Sequence, residues 1–224
     1  MKPTVTIGTL DPRAYRIIIP VSVSDPSRRI HAGRKIQIEF YEQKADGSEE
    51  LVYRTYCGST QSLTVGNGAI KPGTTYRVNA YYTYFDERDS VTVESLLSQI
   101  VTTQVLDPDA KIEFNPPVIE YYYDNHLEIS SLSCNMTETD EEALHGVNRT
   151  GGVTLRITGK SAGVLGFVSE TVLDSRLIRE LKEGQPISFI SVPDLKANQS
   201  YEYELVAKDY FGTELVLTNN TGTF

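Results

Sequence analysis

The chain has 224 residues, a net charge of −9 and 23% charged residues. This length allows one or two domains. The acidic balance argues against a nucleic acid or an anionic membrane as the partner, because both bind clustered lysine and arginine. No apolar run is long enough to predict a transmembrane helix, and no signal peptide is recognisable. We therefore expect either a protein that is not exported by the usual route or a fragment.

The first 106 residues alternate short strand patterns with turn signals. Asp46-Gly47 predicts a tight hairpin. Pro20, inside a β-branched segment, predicts an edge position or a bulge. The predicted strands cover residues 4–10, 15–23, 36–41, 51–56, 62–65, 75–85 and 90–105. Such a series of short strands with regularly spaced turns is typical of a β-sandwich.

The segment Leu106–Ala110 is short, polar and contains a proline, so we place a domain boundary there. Beyond it, residues 135–150 are acidic and polar and are predicted to form a loop. Residues 174–182 are the only segment of helical character. The remaining predicted strands cover residues 111–114, 118–123, 127–134, 152–158, 167–173, 187–192, 201–209 and 214–217.

One motif occurs twice, about 125 residues apart. The copies are Ile70-Lys71-Pro72-Gly73-Thr74-Thr75-Tyr76 and Leu195-Lys196-Ala197-Asn198-Gln199-Ser200-Tyr201. Each has an apolar anchor, a lysine, a turn and a tyrosine, and each leads into an alternating strand. Because the units of a solenoid are much shorter than this spacing, the repeat indicates two related domains.

The repeated motif resembles the start of strand F in fibronectin type III domains. In that family the tyrosine hydroxyl bonds back to the preceding loop, an arrangement called a tyrosine corner. The resemblance implies an all-β chain of two tandem immunoglobulin-like (fibronectin type III-like) β-sandwiches, over 1–106 and 107–224. It also implies that Tyr76 and Tyr201 are structural tyrosine corners. The chain has no tryptophan, so other residues must fill the family's core position. We expect these to be Ile17, Ile19 and Val21, or Leu127, Ile129 and Leu132.

No motif in the sequence carries recognisable catalytic chemistry. A nucleophile elbow, a zinc-ligand spacing and a glycine-rich phosphate loop are all absent. We therefore expect no enzymatic activity, no cofactor and no metal. Cys57 and Cys134 fall in different predicted domains and are expected to be free thiols. A calcium site in the 135–145 loop is the alternative for its acidic residues, but the regular ligand alternation of such a site is missing.

Tyrosine is the unusual feature of the composition, with 14 residues against no tryptophan. Alternation along a strand turns every second ring outward, and exposed aromatic rings are enriched at interfaces. Packing on the sheet surface, contact between the domains and a carbohydrate platform are the alternatives. The tyrosines of the predicted partner-binding face are Tyr81, Tyr82, Tyr84, Tyr121, Tyr122 and Tyr123.

Two tandem sandwiches without catalytic motifs, signal peptide or obvious disulfides resemble the domains of tailed-bacteriophage structural proteins. The resemblance implies a non-enzymatic virion component in a tail, neck, baseplate or capsid, made in the host cytoplasm. Its partners would be other virion proteins and further copies of itself, with no nucleic acid or membrane bound. The alternative is a spacer or an adhesive, glycan-binding module of a bacterial surface or secreted protein, which would be extracellular. This inference comes from fold and context and not from site chemistry.

Overall fold

Strands are the main element of the residues that the computed structural model describes, and all of their pairings except β10–β17 are antiparallel, which confirms the all-β fold class. The structure describes residues 3–25, 35–58, 60–66, 68–86, 89–95, 97–114, 118–124, 127–148, 150, 152–159, 167–172, 186–190 and 201–223. Only the backbone is described for residues 85, 86, 89, 114, 118–124, 127–139, 157, 159, 167–172, 186–190 and 201. The chain divides into two units, Met1–Leu106 and Asp107–Phe224.

The described strands of the first unit form two sheets. These strands are β1 (Thr4–Ile7), β2 (Asp11–Pro12), β3 (Ile17–Ser24), β4 (Lys35–Gln43), β5 (Glu49–Cys57), β6 (Gln61–Val65), β7 (Thr75–Asp86), β8 (Asp89–Glu94) and β9 (Gln99–Thr102). In one sheet β1, β2 and β6 all pair with β3. The other has the order β5-β4-β7-β8, and β9 pairs with the first half of β7. The last strand or strands predicted over 90–105 are two strands, β8 and β9.

The core of the first unit lies between these two sheets. Alternate residues of β7 point into it from one side, beginning at Tyr76 and including Val78 and Ala80, and all three are 0% exposed. The opposite sheet contributes three side chains of β3 that are at most 2% exposed, namely Ile17, Ile19 and Val21. These are the residues expected to replace the missing tryptophan, so that prediction is confirmed for this unit. Burying apolar side chains of this size stabilises the fold by about 1.5–3 kcal/mol each.

Pro20 was predicted to mark an edge position or a bulge, and the edge position is excluded because β3 is a central strand. The bulge alternative agrees with the register, since three residues between Ile7 and Asp11 lie opposite two of β3. Strand β3 pairs with β1 on one side and with β6 on the other. Proline is tolerated there because β1 ends at Ile7, so no ladder bond from the missing N–H is needed on that side. Gly8 follows, and its N–H donates to the Pro20 carbonyl at 2.8 Å.

The described strands of the second unit also form two sheets. These strands are β10 (Ile112–Phe114), β11 (Val118–Asp124), β12 (Leu127–Thr139), β13 (Val153–Gly159), β14 (Phe167–Val172), β15 (Pro186–Ile190), β16 (Tyr201–Ala207), β17 (Leu217–Thr218) and β18 (Thr221–Thr223). One sheet has the order β11-β12-β10-β17, with β15 paired to β12, and the other β14-β13-β16-β18. Leu155 and Leu205 pair across β13 and β16 and are at most 1% exposed.

The acidic segment predicted as a loop over 135–150 is more regular than expected. Its first part continues β12, and helix α1 follows over Glu141–Gly146. The Asp140 side chain caps this helix by accepting a hydrogen bond from the Ala143 N–H at 2.9 Å. Glu141 and Glu142 then lie in the first turn, where negative charge favours a helix. The predicted helical segment 174–182 lies outside the described residues.

Candidate functional site

The structure corrects two residues of the predicted partner-binding face. Tyr82 is 2% exposed and Tyr84 is 6% exposed, and their rings stack with centroids 6.0 Å apart. Both share the inward-facing register of Tyr76 on β7, because side chains two residues apart lie on the same side of a strand. They belong to the core, so they are unavailable to a partner. Tyr81, one position out of phase, lies on the outer side.

The other tyrosines of the prediction lie largely outside what the structure describes. Tyr121, Tyr122 and Tyr123 belong to β11, where their backbone pairs with β12. Tyr201 begins β16 opposite Gly159. The side chains of these four tyrosines are outside the described residues, and so are residues 191–200 before Tyr201.

Tyr76 anchors strand β7 to the loop before it. Its side chain is 0% exposed, and its hydroxyl accepts a hydrogen bond from the backbone N–H of Lys71 at 2.9 Å. The ring meets Phe40 edge-on, with centroids 6.4 Å apart. Burial raises the pKa of the Tyr76 hydroxyl. Its contacts therefore hold strand and loop together, and they leave the outer side of β7 free for other roles.

The outer side of the β5-β4-β7 sheet carries a group of tyrosine and arginine side chains that we call the Tyr–Arg face. Unlike the core side of this sheet, it is polar and partly exposed. Its members come from three strands that hydrogen bonding places side by side. They are Tyr41 on β4, Arg54 and Tyr56 on β5, and Arg77 and Tyr81 on β7. Sequence analysis identified only Tyr81.

A carboxylate lies at the centre of the Tyr–Arg face. Glu39 is 4% exposed, although it points to the outer side of the sheet. Arg54 donates to its Oε1 from Nε at 2.8 Å and from Nη2 at 2.6 Å. The Tyr41 hydroxyl donates to its Oε2 at 2.5 Å, and Gln37 Nε2 donates to its Oε1 at 2.7 Å. Since charge-assisted bonds are roughly twice as strong as neutral ones, Glu39 holds an arginine and a tyrosine of the face in place.

The pKa values of the two partners show which protonation state this network prefers. Burial would raise the pKa of Glu39, but the hydrogen bonds from Tyr41 and Arg54, with the Arg54 charge, outweigh it and hold the pKa below the ordinary glutamate value. The bond to the carboxylate strongly raises the pKa of the Tyr41 hydroxyl. At neutral pH, Glu39 is therefore ionised and Tyr41 keeps its proton.

We expect acid to weaken the first unit through Glu39. A carboxyl group whose pKa is lower in the folded state contributes stability above its unfolded pKa, about 4.3, and loses it as the pH falls through the folded value. The midpoint of urea unfolding of the first unit should therefore fall less between pH 7 and pH 3 in Glu39→Gln than in the parent chain. Glu50→Gln makes the same change at a side chain that is 65% exposed and should leave the drop unchanged. Equal drops in all three proteins would contradict the prediction.

Asn79 supports the other half of the face. It is 4% exposed and pairs with Glu39 across β4 and β7. Its Nδ2 donates to Glu94 Oε1 at 2.7 Å and to the Tyr81 hydroxyl at 3.2 Å. The Tyr81 side chain is thus hydrogen-bonded to the buried amide of Asn79, which restricts the rotamers of Tyr81 even when no partner is bound.

Arg77 is fixed in two ways. Its Nε and Nη2 donate to Glu49 Oε2 at 2.8 and 2.6 Å. Its guanidinium carbon also lies 4.2 Å from the centre of the Tyr41 ring, a cation–π distance. Tyrosine and arginine held in one conformation form the type of surface that contributes most to protein–protein binding, because little side-chain entropy is lost on association.

The described residues offer two further features to a functional search. In the second unit a cleft of about 380 Å³ is lined by polar side chains of β13, β16 and β18, including the ion pair Arg156–Glu204 at 2.5 Å. In the first unit Cys57 is not part of a disulfide, and it is only 8% exposed. Within the described ranges, no group of three or more His, Cys, Asp or Glu residues could hold a metal ion, and no helix is long and apolar enough to cross a membrane. Cys134 lies on β12, where side chains are not described.

Comparisons with known proteins add little to this description. No family model and no curated protein match the chain. Among solved structures the chain is similar to the chicken CNTN1 FN1–FN3 domains, with 14% sequence identity, 99% of this chain covered and a TM-score of 0.33. The chain spans 64% of the length of that structure. A likeness at this level carries no argument about function.

Proposed function

We propose that the chain is a non-enzymatic structural component of a virion, in a tail, neck, baseplate or capsid, and that it acts through protein–protein contacts. The Tyr–Arg face is the single observation that carries the contact role. It combines residue types common at binding hot spots with side chains that are already held by Glu39, Glu49 and Asn79. Its partners are other virion proteins and further copies of this chain.

Two features support a virion protein made in the host cytoplasm. The first is the absence of catalytic motifs, since sandwich domains without chemistry serve as connecting or adhesive modules. The second is Cys57, a buried cysteine that is not part of a disulfide, which suits a protein that folds in a reducing compartment. Both are arguments from context, as fold alone does not define function.

The test is to locate the chain in particles. Virions purified from a culture that carries the gene are analysed by mass spectrometry and labelled with an antibody against the chain. The proposal expects a constant number of copies per particle and labelling at one structural position. Particles that lack the chain, with the chain found in the envelope or the medium, would reject a virion role.

The contact role is tested separately with variants of one residue. Tyr81→Ala should reduce incorporation into particles while the first unit stays folded, because the ring lies on the outer side of β7. Thr83→Ala, on the same side of the same strand and bonded to Thr92 at 3.0 Å, is the matched control and should be incorporated normally. Normal incorporation of Tyr81→Ala would contradict a role for this face.

Tyr56 favours one alternative, a glycan-binding module on a bacterial surface. Its side chain is 52% exposed, and the Lys35 ammonium lies 5.9 Å from its ring centre. An exposed ring can stack on the apolar side of a sugar. The full chain and Tyr56→Ala would be applied to an array of bacterial cell-wall glycans. Binding that Tyr56→Ala loses would support this alternative, which places the chain outside the cell, and no binding would leave the virion proposal as the better one.

A further inference from the structure

Strand β5 lies at an edge of its sheet and exposes an unusual number of side chains. Within the described part of the chain, it pairs with β4 only. Its first six residues, Glu49–Arg54, are all exposed. Three of them are large and apolar, with Leu51 41% exposed and Val52 and Tyr53 each 37% exposed. An edge strand with apolar side chains is a template for pairing with another strand.

A bulge changes which side chains of β5 share a face. The register against β4 shifts so that Tyr53 lies opposite Phe40 but Leu51 lies opposite Tyr41. Val52 is the additional residue between them. Such an extra residue reverses the alternation of the strand from that point onward.

The bulge brings a negatively charged and a positively charged side chain to the same side of β5. Glu49 and Arg54 are five residues apart, so regular alternation would place them on opposite faces. Instead both point to the outer side, where Glu49 binds Arg77 and Arg54 binds Glu39. Along the outer side of this edge, the negative charge of Glu49 therefore comes first, and the positive charge of Arg54 comes later in the strand.

We propose that two copies of the chain associate through their β5 edges, as antiparallel strands related by a two-fold axis. Antiparallel pairing reverses the second strand. In the proposed register, Glu49 of each copy therefore lies opposite Arg54 of the other. The same register places Leu51 of one copy opposite Val52 of the other, and Glu50 opposite Tyr53. Opposite charges and apolar pairs at such cross-strand positions are both stabilising.

A second copy fits this edge because β5 carries both halves of the charge pattern. A two-fold contact uses the same surface on each subunit, so that surface must be complementary to itself. Across the interface, positively and negatively charged side chains would alternate. The order would be Arg77 and Glu49 of one copy, then Arg54 and Glu39 of the second. Arg54 is 46% exposed, and its guanidinium has five donors, so it can bind a second carboxylate while keeping Glu39.

The test is sedimentation velocity on the full chain at about 1–200 µM, a range that detects micromolar dissociation constants. The parent chain should change from its monomer mass of 25.0 kDa towards twice that mass. Val52→Lys places a charge within the edge and should raise the dissociation constant at least about tenfold. Val216→Lys makes the same change at a valine of the second unit that is 51% exposed, and should associate like the parent.

Three results would overturn the proposal. The parent chain could remain a monomer throughout, Val52→Lys could associate like the parent, or Tyr81→Ala could abolish association and so place the contact on the Tyr–Arg face. Hydrogen exchange gives an independent readout of the register. The amides of Leu51–Arg54 should gain protection as the concentration rises, and protection gained only at β8 would reject pairing at β5. Incorporation into particles is a separate experiment, so the two proposals can fail independently.

Discussion

Tyr76→Ala is expected to lower the free energy of unfolding of the first unit by about 3–5 kcal/mol, the range for removing a buried aromatic side chain. The ring is 0% exposed and packs against Phe40. Tyr76→Phe should cost less, about 1–3 kcal/mol, because it keeps the ring and removes the acceptor of the Lys71 N–H. The difference between the free energies of unfolding lost in the two variants separates the contribution of ring packing from that of the hydroxyl's hydrogen bond.

The measurement should report on the first unit alone, because a two-domain chain does not have one free energy of unfolding. Cys57 provides this signal, since its thiol is 8% exposed and belongs to the first core. Labelling of the Cys57 peptide in rising urea, followed by mass spectrometry, gives the midpoint for this unit. Tyr56→Ala, at a ring that is 52% exposed, is the control and should stay within about 0.5 kcal/mol of the parent. A cost below about 1 kcal/mol for Tyr76→Ala would contradict the anchoring role.

The neighbouring residues Tyr81 and Tyr82 should respond to alanine in opposite ways. Tyr82 is 2% exposed, so Tyr82→Ala should destabilise the first unit by about 3–5 kcal/mol through the cavity that it leaves. Tyr81 lies on the outer side and is held by Asn79, so Tyr81→Ala should cost only about 1 kcal/mol. Its effect should instead appear as weaker association with a partner.

The same Cys57 labelling measures both variants, and incorporation into particles measures the partner contact. Each variant is the other's matched control, because the two differ only in which side of β7 loses a ring. A Tyr82→Ala chain as stable as the parent would mean that this ring is not part of the core. Equal losses of stability in both variants would likewise contradict the opposite placement of the two rings.

Much of the first unit was predictable from local patterns. Alternation and turn residues located its strands, and the motif ending in Tyr76 identified the core side of β7. That register already places Tyr82 and Tyr84 on the core side with Tyr76, which argues against a place for them in a partner-binding face. Helix α1 also had a local signal, because Asp140 precedes two glutamates in the manner of a capped first turn.

The Tyr–Arg face was not predictable in the same way. Arg54 and Glu39 are 15 residues apart, and Arg77 and Glu49 are 28 apart. Neither separation forms a recognisable motif. The residues meet only because β4 pairs with β5 on one side and with β7 on the other.

Local sequence patterns were enough to predict the all-β class, the position of most strands and the tyrosine that anchors β7. These properties depend on side-chain period and turn chemistry, which act between residues close together in the chain. Three features emerge only in the folded chain, namely the central position of β3, the bulge at Val52 and the burial of Glu39 on an outer sheet face. These depend on which strands lie side by side, and strand order results from contacts between distant segments that no local pattern encodes.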